Sequence, residues 1–141
     1  MHPIAIALFT AAFYGVYNFF IKVASGDIHQ IVGAVVLQVV ATLLGGGVLL
    51  YLLATGTTLP ITGKGLQYAV LAGFFVGLAE IASFYAFSKG LSASVGIPLI
   101  VGGTVVVGVL LGALFLKEHL TILQYVGIVL MVVSVMLLTA K

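Results

Sequence analysis

Five apolar stretches, each about as long as a bilayer is thick when wound into a helix, are separated only by short polar breaks. A spanning helix needs roughly 20 mostly apolar residues. Cutting the chain at its charges and at its Gly, Pro and Thr clusters predicts spans over 3–24, 30–54, 65–88, 94–116 and 121–139. The breaks carry turn chemistry: Ala24-Ser25-Gly26-Asp27, the run from Thr55 to Lys64 through Pro60, Lys89-Gly90-Leu91-Ser92, and Lys117-Glu118-His119. Lipid offers no hydrogen bonds, so each backbone amide must be satisfied within its own segment. The expected fold is an all-α integral membrane protein, one domain of five transmembrane helices over residues 1–141, in the cell membrane with the bilayer as its first partner.

Composition removes the alternatives. Charged residues make up 6% of the chain, against about 25% in ordinary soluble domains, and mean hydropathy is +1.40. The loops are too short to hold a soluble catalytic domain. The absence of Cys removes disulfides, thiolate metal sites and thiol catalysis together. His2, His29 and His119 fall at span ends without metal-ligand spacing, and no Ser, Lys or His stands beside a base as a nucleophile would. Neither an enzyme nor a cofactor or metal site is expected. A net charge of +2 from scattered Lys makes no basic patch, so nucleic acid is not an expected partner. The first span reads as a mature helix rather than a signal peptide, being too long in its apolar part and lacking a basic n-region and an A-x-A-like site.

An odd number of spans puts the two ends of the chain on opposite sides. Lys64 and Lys117 then fall on the side of the N-terminus, and Lys22, Lys89 and Lys141 on the other. Orientation follows Lys and Arg in short loops. Two against three, with the α-amino group adding to the weaker side, is almost no bias and predicts insertion in both orientations.

Within this apolar frame one residue is out of place. Glu80 stands in Gly77-Leu78-Ala79-Glu80-Ile81-Ala82-Ser83, roughly 4.5 Å of helical rise from the middle of the third span. An acid at that depth costs about 2.5 to 3.5 kcal/mol on insertion scales, and such groups face a bundle interior or a wet cavity on an ion or solute pathway. Proton or substrate binding at Glu80 is the functional reading. The bland one is a protonated Glu80 bonded to a neighbouring helix, or paired with a snorkelling Lys. At helical spacing Glu80 shares a face with Gly73, Val76, Gly77, Ser83, Phe84 and Phe87. Gly73 and Gly77 form a G-x-x-x-G that lets another helix approach, so the half of the face before Glu80 is expected to pack and the half after it to open.

Other spans carry weaker stripes. Thr10, Tyr14, Asn18 and Lys22 recur every four residues on the first, with Tyr17 beside them; Gln38, Thr42 and Gly45 share a face of the second, and Thr104, Gly108 and Gly112 one of the fourth. The Thr and Gly positions read as interhelical packing or hydrogen bonding. Tyr14, Asn18 and Gln38 read equally as cavity lining. Tyr14, Tyr17, Phe84 and Phe87 near a carboxylate are the ingredients of an organic-cation site. Pro98, early in the fourth span, either occupies a position whose N–H lacks a helical partner or breaks the helix and frees carbonyls for a site. Gly127, Met131 and Ser134 form a stripe on the fifth, a candidate dimer seam.

Ala79-Glu80-Ile81-Ala82-Ser83-Phe84-Tyr85-Ala86-Phe87-Ser88-Lys89-Gly90, Ser94-Val95-Gly96-Ile97-Pro98-Leu99, Phe115-Leu116-Lys117-Glu118-His119-Leu120 and Gln124-Tyr125-Val126-Gly127-Ile128 resemble the repeat unit of EamA-like transporters in the drug/metabolite transporter superfamily. The likeness extends more loosely through Tyr14-Gly15, Lys22 and Gln38. Typical members join two inverted five-span repeats, and this chain is similar to the short, single-repeat type. The resemblance implies a ten-helix antiparallel homodimer that moves a small organic solute by alternating access; it leaves the coupling open, and binding of a proton or a cationic substrate at Glu80 is what the buried acid itself adds. The resemblance also implies that Glu80 and the start of the fourth helix lie near the central cavity, and that Glu118 is a structural interface residue at a helix end. Small multidrug resistance proteins, related by architecture, carry their essential acid in the first span; this chain has none there. A non-transporting membrane subunit that assembles with another protein, and a lipid-head-group flippase, are the alternatives.

Overall fold

The computed structural model describes residues 2–140; Lys141 and the α-amino group, counted in the charge balance, lie outside the described residues. Five helices follow one another: α1 (Pro3–Ala24), α2 (Gln30–Ala54), α3 (Gly63–Ser88), α4 (Ala93–Phe115) and α5 (Ile122–Thr139). The bounds differ from those expected by two residues or fewer, and at α3 and α5 the differences come from caps. Thr62 is the N-cap of α3, its hydroxyl accepting from the Gly65 amide at 3.1 Å, so the helix starts two residues early. Thr121 is the N-cap of α5 rather than its first residue. Its hydroxyl accepts from the Gln124 amide at 3.3 Å while its own amide donates to Gln124 Oε1 at 2.7 Å, a reciprocal capping box.

Pro3 opens α1, where its missing N–H costs nothing. His29 caps α2 through Nδ1, which accepts from the Ile31 amide at 3.4 Å. Helix α4 continues without interruption through Pro98, so of the two readings of that proline the broken helix is not the one adopted. Pro98 is in the second turn of α4, and what it withholds is a donor for the Ser94 carbonyl. The chain leaves α2 and α3 through Gly56 (φ 74°) and Gly90 (φ 96°), both in the left-handed region that favours glycine.

The helices fall into two packing units, residues 20–90 and the remainder. Within the first, α2 packs on α3; within the second, α4 packs on α5. The α2–α3 contacts run antiparallel: Phe84 lies over Gly33, and the Gln38 amide lies over Gly77. A methyl group at Gly33 would come within 2.5 Å of the Phe84 ring, so this position admits only glycine while the ring stays where it is. In α4–α5 the same device recurs, with a Val135 methyl occupying the space a side chain at Gly102 would need.

Among the described residues the fully buried apolar side chains are Ile21, Ala34, Phe84 and Phe87, and no residue of α5 is buried. Large side chains such as Leu8, Phe13, Leu43 and Leu114 face outward. Lipid tails are as apolar as Leu, so helices in a bilayer gain little by hiding such side chains from their surroundings; association rests on close packing and hydrogen bonds.

Candidate functional site in the third helix

Helix α3 carries Glu80 past its midpoint, about 7 Å of rise from the centre of the span. The residue is 6% exposed, and its Oε2 atom has no hydrogen-bond partner among the described residues. Buried polar atoms in native proteins are nearly always paired. The Glu80 carboxylate is therefore the buried polar group whose pairing the described residues leave open.

The face around Glu80 meets the expectation only in part: Gly77 receives Gln38 of α2, but the half after Glu80 is closed rather than open. Phe84 and Phe87, which follow Glu80, are buried, whereas Gly73 is exposed with open space where a side chain would be, and Gly77 is half-exposed. The reason is shape: a phenylalanine ring seated in the Gly33 notch of α2 closes the C-terminal half, while no side chain fills the gap at Gly73. Phe84 is thus committed to packing. Phe87 lies under Lys22, whose Nζ is 5.9 Å from the ring centroid and donates to the Phe87 carbonyl at 3.2 Å. That ammonium at the C-terminal end of α3 meets the negative end of the helix dipole. Both rings therefore have occupants of their own, and a cation cage built on them has no support in this arrangement. Ser83 is half-buried and makes no hydrogen bond among the described residues.

On α2 the Gln38 side chain reaches α3. Its Oε1 and Nε2 lie 3.6 and 3.8 Å from the position a Gly77 Cβ would take, one helical turn before Glu80. Gln38 also lines an open groove of about 310 Å³ with Val35, Val39, Thr42 and Leu43. Neither the Gln38 amide nor the Thr42 hydroxyl forms a hydrogen bond among the described residues.

The first-span stripe is resolved differently. Thr10, Phe13, Tyr14 and Tyr17 line a shallow groove of about 210 Å³, and the Tyr14 and Tyr17 rings meet edge to face at 5.8 Å. Thr10 donates to the Ile6 carbonyl at 3.0 Å and Asn18, which is buried, to the Tyr14 carbonyl at 2.8 Å. Those donors are occupied by their own helix. Thr104 likewise donates to the Val101 carbonyl at 2.6 Å. Gly108 is open, and Gly112 is covered by a loop residue rather than a helix: the Glu118 carboxylate lies 2.8 Å from where its Cβ would be. Lys117, left-handed at φ 53°, turns the chain back so that the Glu118 amide also donates to the Gly112 carbonyl at 3.2 Å. Glu118 is thus a structural residue of the α4–α5 turn. Sequence reasoning missed the Gly33 notch and the tie from Lys22 to α3; neither a lone glycine in an apolar run nor a Lys near a helix end carries a distinguishing signal.

Five helices long and apolar enough to cross a membrane, with an acid buried in one of them, define a multi-pass integral membrane protein. The sequence pattern of the EamA-like transporter family matches residues 2–140, and the chain belongs to that family. An uncharacterized protein of Methanocaldococcus jannaschii is 34% identical over 136 residues, covering 96% of this chain and 95% of that relative. No solved structure is significantly similar to the chain.

Proposed function

We propose that the chain is a secondary transporter of a small organic solute that works as an antiparallel homodimer of five-helix protomers, with Glu80 as the group that binds a proton or a cationic solute. The observation that carries the reading is the unpartnered Glu80 Oε2 atom inside an apolar helix. Family membership supports transport as the activity, and the near-balance of Lys between the two sides supports insertion both ways. Two copies inserted oppositely are related as inverted repeats are, and one rocks against the other to expose a midplane site alternately to each side.

The absence of Cys makes the topology test clean. With Ala140→Cys, about half of the molecules in intact cells should react with a membrane-impermeant thiol reagent, the rest only after permeabilisation, as an even split of orientations requires. Labelling from one side alone removes the antiparallel homodimer and directs attention to a second protein. In proteoliposomes of the oriented pair, Glu80→Gln should abolish pH-dependent uptake, because a carboxamide neither binds nor releases a proton. Undiminished, still pH-dependent transport in that variant rules out the role given to Glu80.

A further inference from the structure

We infer that Gly45-Gly46-Gly47 is a hinge in α2, and that bending there opens and closes a route to Glu80 from one side of the membrane only, the side that carries Lys64. The inference rests on the reading of Glu80 as the binding group and adds how that group is reached.

The triplet stands where packing does not ask for glycine. At Gly33, Gly102 and Gly112 an added methyl would meet a neighbour, whereas at Gly45, Gly46 and Gly47 it would meet nothing within 4 Å. All three lie inside α2, and none has the positive φ that favours glycine. Nor do they form a seat for one neighbouring helix. Successive residues step about 100° around a helix, so the three together cover roughly 200° of its circumference; close helix contacts use small residues four apart instead. What the three share is the backbone. Glycine is the poorest helix former after proline, and adjacent small residues are a recognised place for helices to bend.

The two sides of the triplet differ. Before it α2 is held: Gly33 and Ala34 are buried, Phe84 fills the notch and Gln38 reaches Gly77. Beyond it no residue of α2 from 48 to 54 is buried, nor any of α3 from 63 to 76. The antiparallel register of Gly33 against Phe84 and Gln38 against Gly77 brings Gly73 about level with residues 42–44, just before the triplet. Gly73, Gly77 and Glu80 share a face of α3, so the way from the 55–62 loop to the acid crosses two positions without side chains. In the other direction Phe84 and Phe87, 3% and 1% exposed, close it. The last two turns of α2 therefore tilt from α3 while the packed half stays in place, as hinges concentrate a motion in a few small residues. An inverted second copy carries the same hinge facing the opposite side, which is how one short chain supplies both openings of alternating access.

The absence of Cys allows clean label pairs. Spin labels on Leu50→Cys with Leu66→Cys span the loop-side ends of α2 and α3, and on Ile31→Cys with Tyr85→Cys the packed ends; all four positions are exposed. Distances are read by pulsed electron paramagnetic resonance on the full chain in lipid nanodiscs, diluted with unlabelled chain so that pairs within one protomer dominate. The loop-side pair should give two populations of distance, and the packed pair one. Gly45→Ala, Gly46→Ala and Gly47→Ala combined should remove the second population and leave the packed pair unchanged. Because the methyls meet open space and alanine is the better helix former, the same variant should unfold roughly 5 °C higher. In Gly73→Cys, reaction with a water-soluble thiol reagent should slow about tenfold once the triplet is alanine, as loss of most of the open population requires. One population at the loop side in the wild type, two that persist in the triple variant, or two at the packed ends overturns the hinge. A triple variant that unfolds earlier also overturns it and makes the triplet a seat for a neighbouring helix. None of these readings uses transport. If the triple variant loses the second population while Glu80→Gln keeps undiminished, pH-dependent uptake, the hinge stands and the role given to Glu80 fails.

Discussion

In the α2–α3 pair a phenylalanine ring fills the notch at Gly33, and in the α4–α5 pair a valine fills the notch at Gly102. Helices in lipid associate by such close fits because hydrophobic burial drives them little, so the shared device is what holds each pair. The pairs part company in their polar atoms. Helices α4 and α5 contain no charged residue, and Thr104 and Thr139 donate to carbonyls of their own helices; the exposed Tyr125 and Ser134 hydroxyls make no hydrogen bond among the described residues. Helices α2 and α3 hold Gln38, Thr42, Ser83 and Glu80 with no hydrogen bond for the first three and an orphaned oxygen on the fourth. The pairs thus share a packing device and differ in the buried acid, which only α3 carries.

The sharpest way to break the comparison is to overfill the two notches. Gly33→Ala sets a methyl 2.5 Å from the edge of a ring that is 3% exposed. A buried flat ring cannot swing aside, and overpacking of this kind costs about 1 to 3 kcal/mol; a value near the upper end is expected. Gly102→Ala meets a Val135 side chain that is half-exposed on a helix with no buried residue, so α5 can shift to relieve it, and roughly 1 kcal/mol is expected there. Thermal unfolding in detergent should rank the two in that order, and Phe84→Leu or Val135→Ala should restore most of the loss in its own pair only. Equal costs, or rescue across pairs, would mean the notches are not the separate locks described.

A third glycine calibrates the scale. Gly112→Ala also places a methyl too close, 2.8 Å from a Glu118 oxygen, but that atom is the far end of an exposed, flexible side chain. It can move, and less than about 0.5 kcal/mol is expected, as for ordinary surface changes. A larger loss in the same unfolding assay would make the folded-back Glu118 carboxylate a rigid part of the α4–α5 turn.

These contrasts also explain what was legible in the sequence. Spans were, to within two residues, since twenty-residue apolar runs and the Gly, Pro and Thr breaks between them are one-dimensional signals. Glu80 was legible because an acid in an apolar run stands alone. The faces were not. Of Gly73 and Gly77, which the sequence marks as a contact, Gly77 receives Gln38 while Gly73 meets open space, and the tightest fit lies at Phe84; in a chain with 18 glycines, which of them receives a neighbour depends on helix rotation and approach. Nor does sequence tell whether a threonine spends its hydroxyl on its own helix, since that turns on one side-chain rotamer.

The smallest effect expected is also the one that most directly separates the two pairs. Thr104→Val and Thr42→Val make the same change of a hydroxyl to a methyl in the membrane, both at exposed positions. Thr104 gives its proton to the Val101 carbonyl at 2.6 Å; the carbonyl already belongs to the helical ladder, so losing that bond should cost under about 0.5 kcal/mol. Stability should be just as little affected by Thr42→Val, because no hydrogen bond is there to lose. The difference should appear in transport: uptake by proteoliposomes is expected to be unchanged in Thr104→Val and reduced about two- to fivefold in Thr42→Val, one weak hydrogen bond's worth. A free hydroxyl that changes uptake without changing stability is one reserved for a ligand. If the two variants transport alike, the unsatisfied groups of α2 are only exposed to lipid, and the contrast between the helix pairs is one of packing alone.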